Sequence, residues 1–410
     1  MLESVIARKE GVRAADGLLS EIQKGFFQES LREAIAASSD PEQAAAWTEY
    51  HRESLQYGID DFTNAVKDSR APLDRVCAGR SILQSDVATP VAEKALQALR
   101  QSIDLQLRSA NGGFWYFADP PLPYEQYGNL SYSDGMYGFA PFATLYGQKF
   151  SDGLNINSAL EQLEILYQHV HHAATGLIVH GYDASKSAPW ADSKTGASPM
   201  VWGRSMAWYL IGLVDALELA ENDSRTKSSP AYKRMRTILH DIARANVVAA
   251  RHSATVTGSY AVWQVVDQPG AEGNYIEASA SAMIAFVLAK SLRLGYISDH
   301  VIIDGSAHSP IRQGAYGPQQ AQTPLPAVLT VGDVVRGLYD EVVTLFVVEN
   351  DSGLLEFHGT SIIASLHEAR PNFDYYVNRA RVNDSLIGSS AFILASLEME
   401  RWLAAGSTIV

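Results

Sequence analysis

Apolar residues recur along this chain with two helical patterns. Over residues 155–171 they fall on one face, at Ile156, Leu160, Leu163, Tyr167 and Val170. Over 230–246 they do so again, at Tyr232, Met235, Ile238, Leu239 and Ile242. That spacing predicts helices half exposed to water. Four other stretches, 135–147, 205–220, 278–292 and 389–403, are apolar on most faces and predict buried helices. The alternation predicts an all-α protein of two layers, inner helices ringed by outer ones. A toroid of helical hairpins fits this pattern, and so does an irregular bundle.

Strand signals are few. VVTLFVVEND (342–351) and GLLEFHG (353–359) predict a hairpin around Asp351-Ser352-Gly353, with short strands at SIIASL and DYYV. Residues 304–332 are rich in Gly, Pro and Gln and predict a surface excursion. Apolar helices on both sides of it favour one continuous domain over 1–410.

The formal charge of −14 disfavours nucleic acid and anionic membranes as partners. Cys77 is the single cysteine, which excludes an intrachain disulfide and fits a reducing compartment. The N-terminal stretch mixes charges through its apolar positions, and no apolar run reaches the length of a spanning helix. The expectation is a cytoplasmic protein, with the Asn-X-Ser sites at Asn129, Asn222, Asn350 and Asn383 accidental. No Gly-rich phosphate loop, HExxH, paired-cysteine motif or GxSxG elbow is present, and no cofactor or metal is expected. His169 and His172 could share a helix face, but a solvated face explains them better.

Candidate chemistry concentrates between His180 and Trp208. HGYDASKSAPWAD and WGRSMAW bring together His180, Trp190, Trp202, Arg204 and Trp208. Aromatic rings beside Arg and His suit a sugar acid. Arg204 starts a buried helix and must meet a carboxylate, internal or substrate-borne. Trp208 lies one turn further on, and a stacking role and a core role are both open. Asp134 leads into another buried helix beside Tyr132 and Tyr137. A capping role and an acid/base role are compatible there, since burial favours the protonated carboxyl. Asp74 is similarly placed, as a cap, as an ion-pair partner of Arg75 or Arg80, or as a second carboxyl of a catalytic pair.

SYSDGMYGFAPFATLYG resembles the catalytic-Asp segment of the unsaturated rhamnogalacturonyl and glucuronyl hydrolases, glycoside hydrolase family 105 and its relative family 88. TGLIVHGYDASKSAPWADSKTGASPMVWGRSMAWYLIGLVDALE is similar to their most recognisable block. WQVVDQPGAEGNYIEASASAM, FHGTSIIASL, DYYV and NDSLIGSSAFILASLE follow in family order. Residues 1–70 show no clear counterpart.

The resemblance implies a six-hairpin (α/α)6 toroid with a few short strands. It implies an anionic oligosaccharide substrate that ends in a 4,5-unsaturated uronic acid. Water would add across its C4–C5 double bond, most plainly in an unsaturated rhamnogalacturonan disaccharide. Asp134 would be the acid/base and Asp74 the second carboxyl. His180, Arg204 and Trp208 would contact substrate, with Trp202, Tyr132 and Trp190 beside them. A glycosidase for saturated sugars and a silent carbohydrate-binding protein remain alternatives on the same fold. One departure stands out: Tyr116 occupies the position of a family His after Phe-Trp.

Overall fold

The computed structural model describes residues 1–12, 20–119, 128–151, 153–300 and 329–407. In chain order its first helices are α1 (Leu2–Ala7), α2 (Glu21–Ala37), α3 (Pro41–Asp61), α4 (Ala65–Asp68) and α5 (Val76–Leu83). Next come α6 (Pro90–Asp104), α7 (Met136–Lys149), α8 (Ile156–Val170), α9 (Gly203–Glu221) and α10 (Ser224–Lys227). The last are α11 (Pro230–Thr257), α12 (Ala278–Arg293), α13 (Val331–Phe346), α14 (Phe373–Val377) and α15 (Leu386–Ser407).

Helices α2, α5, α7, α9, α12 and α15 form the inner layer. Each packs on the next, and α15 returns to α2, so the ring closes. Helices α3, α6, α8, α11 and α13 pack outside it. The chain is thus an all-α toroid, and the four stretches that are apolar on most faces all lie in its inner ring. Three outer helices begin the same way, with a capping side chain followed by proline. Asp40-Pro41, Thr89-Pro90 and Ser229-Pro230 each satisfy first-turn amides while proline pre-sets the helical φ. The inner helices α7 and α9 have no side-chain cap.

Close approach of inner helices depends on small residues. A Cβ at Gly212 of α9 would stand 2.1 Å from the Met136 carbonyl oxygen of α7, so that crossing requires glycine. Within the ring runs a buried ionic network. Arg80 pairs with Glu29 at 2.7 Å and Asp215 at 2.6 Å, and Lys290 meets Asp215 at 2.7 Å and Glu218 at 2.6 Å. Arg293 joins Glu218 to Glu398, and the Tyr137 hydroxyl donates to Glu29 at 2.8 Å. The network draws on all six inner helices.

The strands form three two-stranded antiparallel pairs: β1 (Leu130–Tyr132) with β2 (Gly181–Asp183), β3 (Val347–Glu349) with β4 (Leu355–Phe357), and β5 (Thr360–Ser361) with β6 (Arg381–Val382). Two expectations are corrected here. The hairpin turn is present at residues 350–353, but residues 342–346 are the last turns of α13. Val334, Val335, Leu338 and Val342 sit at helical spacing and are fully buried, which overrides the β-branched local preference. DYYV is also helical, capped by the Asn372 side chain on the Tyr375 amide. Most of the Gly- and Pro-rich stretch 304–332 lies outside the described residues.

Candidate active site

The site forms where inner helices begin. Strand β1 pairs with β2 with Tyr132 opposite Gly181, and the Ser133 amide donates to the His180 carbonyl at 3.0 Å. This register sets Asp134 beside His180. Asp134 occupies a 3-10 turn (Ser133–Gly135) leading into α7, and no side chain caps that turn or the helix. Its carboxylate instead accepts a hydrogen bond from Ser205, in the first turn of α9. His180 Nε2 lies 3.6 Å from Asp134 Oδ2.

Burial dominates the electrostatics. Desolvation raises the Asp134 carboxyl to about 6 despite the Ser205 donor and the nearby Arg204 charge, which both favour ionisation. His180 is fully buried and held neutral, well below the usual imidazole range, by desolvation and by Arg204. Its Nδ1 meets the Tyr376 hydroxyl at 2.7 Å, and its ring lies 4.6 Å from that of Trp202. Its Nε2 is buried with no hydrogen-bond partner in the protein.

Asp74 sits in a second 3-10 turn (Leu73–Arg75) ahead of α5. Neither neighbouring arginine pairs with it. Arg75 bonds to Ser102, Gln106 and the Ala71 carbonyl, and Arg80 serves the ionic network. Desolvation pushes Asp74 up to about 7; the Tyr116 hydroxyl pulls it down and the charge of Asp134 pushes it further up. Its Oδ1 is buried and unpartnered. Buried polar groups in proteins are nearly always satisfied, so Asp74 Oδ1 and His180 Nε2 mark where a further polar group is expected.

Arg204 finds its carboxylate inside the protein. Its Nη1 lies 3.7 Å from Glu277 and donates to the Ser361 carbonyl at 2.6 Å, while Nη2 donates to the Ile362 carbonyl at 2.9 Å. Its guanidinium stands 4.8 Å over Trp202, whose Nε1 donates to Gln264. Trp208 packs edge-on to Phe26 at 4.6 Å and beside Tyr137 at 4.7 Å. The structure therefore places Trp208 among core aromatics, away from Arg204's partners. Tyr132 bonds to His367 at 2.8 Å and Ser365 at 3.1 Å, and accepts from the Leu366 amide at 2.8 Å. Half-buried Trp190 donates to the Leu366 carbonyl at 3.1 Å, bracing the same loop.

Asp134, His180, Tyr132, Trp202 and Arg204 thus come together, and Asp74 joins them electrostatically. Sequence reasoning gave no role to Ser205, Glu277, Tyr376 or His367. Three of these lay inside quoted motifs: Ser205 follows Arg204, Glu277 ends GNYIE and Tyr376 sits in DYYV. Only the fold shows which partners they meet. Among the described residues no three His, Cys, Asp or Glu side chains cluster to hold a metal ion.

Comparison with known proteins agrees with this architecture. Residues 19–304 match the model of Glycosyl Hydrolase Family 88, and the match takes in α2 and α3, where the sequence alone shows no clear counterpart. Protein Atu3128 of Agrobacterium fabrum and the 24.9 kDa protein in the picA locus of Rhizobium radiobacter are each 37% identical over 158 residues. That is 38% of this chain, which spans 62% of the length of these two relatives. A family 105 glycoside hydrolase from C. acetobutylicum superposes with TM-score 0.71 at 23% identity, covering 97% of both chains. The unsaturated glucuronyl hydrolase of Bacillus sp. GL1, responsible for glycosaminoglycan degradation, superposes with TM-score 0.58 at 15% identity, over 98% of this chain and 97% of that one. The chain belongs to Glycosyl Hydrolase Family 88, a family of glycoside hydrolases.

Proposed function

We propose that the chain adds water across the C4–C5 double bond of a 4,5-unsaturated uronic acid at the non-reducing end of a lyase-generated oligosaccharide. The finer reading is an unsaturated rhamnogalacturonan disaccharide. The observation that carries it is the pair of buried carboxyls, Asp134 at about 6 and Asp74 at about 7, with the charge of Asp134 bearing on Asp74. Near neutral pH such a pair holds about one proton, the state that acid/base hydration needs.

In this reaction Asp134 gives its proton to C4, and positive charge develops at C5 and the ring oxygen. The ionised carboxylate then takes a proton from the water that bonds to C5. The resulting hemiketal opens by breaking its C5–ring oxygen bond, leaving a C5 ketone. C1 is then a free hemiacetal and expels the neighbouring sugar. Neutral His180 directs Nε2 at a substrate oxygen, and Tyr132, Trp190 and Trp202 frame the sugar. Arg204 fixes residues 361–362 and adds positive potential for the uronate carboxylate. Trp208 supports α9 from within the core.

The test follows loss of the enol-ether ultraviolet absorbance with unsaturated rhamnogalacturonyl and glucuronyl disaccharides, beside their saturated counterparts. Only the unsaturated sugars should be consumed, the rhamnogalacturonyl one faster. Asp134→Asn should lose at least ~10²-fold in rate. Equal release from saturated substrates would identify an ordinary glycosidase, and no turnover of any would identify a binding protein.

A further inference from the structure

A closed ring of four residues fixes the orientation of His180. Trp202 Nε1 donates to Gln264 Oε1 at 3.1 Å, and Gln264 Nε2 donates to the Tyr376 carbonyl at 3.1 Å. The Tyr376 hydroxyl meets His180 Nδ1 at 2.7 Å, and the His180 ring returns to Trp202 at 4.6 Å. All four residues are buried. Tyr132 stands edge-on to the imidazole from another side, at 5.1 Å.

The hydrogen bonds of this ring decide which nitrogen of His180 carries the proton. A neutral imidazole has one donor and one acceptor nitrogen, and the bond made by one fixes the role of the other. Among the described residues the Tyr376 hydroxyl has no acceptor other than His180 Nδ1. A protonated Nδ1 would donate to the phenol oxygen and leave the phenol hydrogen buried and unpaired. A doubly protonated ring would leave the same hydrogen unpaired. Buried donors are rarely left so. With Nδ1 bare, the phenol donates to it and Nε2 carries the hydrogen. Nε2 then points into the site, 3.6 Å from Asp134 Oδ2, which is too long for a hydrogen bond.

We infer that Tyr376 is a positioning residue that locks His180 as the Nε2–H tautomer, making it a fixed donor to a substrate oxygen and barring it from acting as the base. The role given to the substrate rests on the proposed hydration. A histidine beside a catalytic carboxyl is an obvious second candidate for taking the proton of the attacking water. Here Nε2 already holds a hydrogen and Nδ1 is covered by the phenol, so neither nitrogen is open to that proton. Water activation therefore falls to the carboxylate. The oxygen that Nε2–H meets is a hydroxyl or carboxylate oxygen of the unsaturated uronate. Gln264 completes the device: by holding both the Trp202 indole and the Tyr376 main chain, it keeps the phenol and the ring under it in register.

Nitrogen-15 NMR of histidine-labelled protein reads the tautomer directly, because protonated and bare ring nitrogens resonate far apart. His180→Asn identifies its signals among those of the 11 histidines by their loss. Wild type near neutral pH should show Nε2 protonated and Nδ1 bare. A protonated Nδ1, alone or with Nε2, overturns the inference, and this reading needs no variant of Tyr376 to fold. Tyr376→Phe keeps the ring and removes the donor. The Nδ1–H form should then appear, and kcat/KM for unsaturated disaccharide should fall ~3- to 10-fold. In a His180→Asn background the same change should alter kcat/KM by less than about twofold. A merely structural role would cost as much in either background. An unchanged tautomer in Tyr376→Phe, an undiminished rate, or an equal loss in both backgrounds overturns the inference. If wild type turns over no unsaturated sugar while the spectra behave as stated, the hydration reading fails and the Tyr376–His180 lock stands.

Discussion

Glu277 lies 3.7 Å from Arg204 and also accepts from Ser279 and from the Ser361 and Ala280 amides. The most deeply buried cation of the site therefore has an internal counter-charge, supplied by the N-cap of α12. The pair ties three segments together: the start of α9, the start of α12 and strand β5. Glu277→Ala would strand a buried guanidinium, and removing one partner of such a pair costs about 3–5 kcal/mol. Thermal unfolding should show that loss. Arg204→Lys keeps the charge but cannot hold the Ser361 and Ile362 carbonyls as a fork. It should loosen residues 361–363 and raise KM more than it lowers kcat. A Glu277→Ala protein as stable as wild type would show that the pair is not what holds these segments.

The hydroxyl of Ser205 is the direct side-chain donor to Asp134. It favours the ionised carboxyl against desolvation. Ser205→Ala removes it without adding bulk, so the Asp134 pKa should rise and the acid limb of the kcat profile should move up by about one unit. A limb that stays in place would mean that another group controls this ionisation.

Much of this organisation is legible in the sequence because it follows from periodicity. Helices α7, α9, α12 and α15 announce themselves by being apolar all round, and α8 and α11 by a single apolar face. The N-terminal part is harder. Helix α2 buries Lys24, Gln28, Glu29 and Ser30 along with Phe26 and Phe27, so its inner position is masked by polar residues. Those residues are buried because partners on distant segments receive them: Glu29 meets Arg80 at a separation of 51 positions and Gln28 meets Ser54. The same applies at the site. Asp134 and His180 stand out by type and neighbourhood, whereas Tyr376 gains its meaning only from a bond to His180 across 196 positions. Trp208 shows the converse: helical spacing puts it on the same face as Arg204, but the facing surface at that depth is Phe26 and Tyr137.

The ionic network at the heart of the ring gives a stability prediction. Lys290 is 6% exposed and meets Asp215 and Glu218 at once. Lys290→Met is close in volume but leaves Asp215 with Arg80 as its remaining cation. The expected cost is about 3 kcal/mol or more, with added salt giving little recovery because the charges are shielded from solvent. A variant whose Tm matches wild type would mean that the six helices are held by apolar packing alone.

The carboxyl pair makes a prediction that separates folding from chemistry. Both groups are raised in the folded protein relative to an unfolded chain, where a carboxyl titrates near 4. Between that value and about 7 the folded state therefore binds more protons than the unfolded state, and stability falls as pH rises through this window. Above it both states are ionised and the penalty is full. Asp74→Asn removes the buried charge while keeping the shape. Its stability relative to wild type should be near zero at pH 4 and favourable at pH 8, by on the order of 2–4 kcal/mol. Asp134→Asn should follow the same course with a smaller gain, since Asp134 is raised less. Both should lose activity, Asp134→Asn by at least ~10²-fold. Denaturant unfolding of the three proteins at the two pH values decides it. A gain that is equal at both values would show that neither carboxyl is held protonated by burial, and the shared-proton chemistry built on them would fail with it.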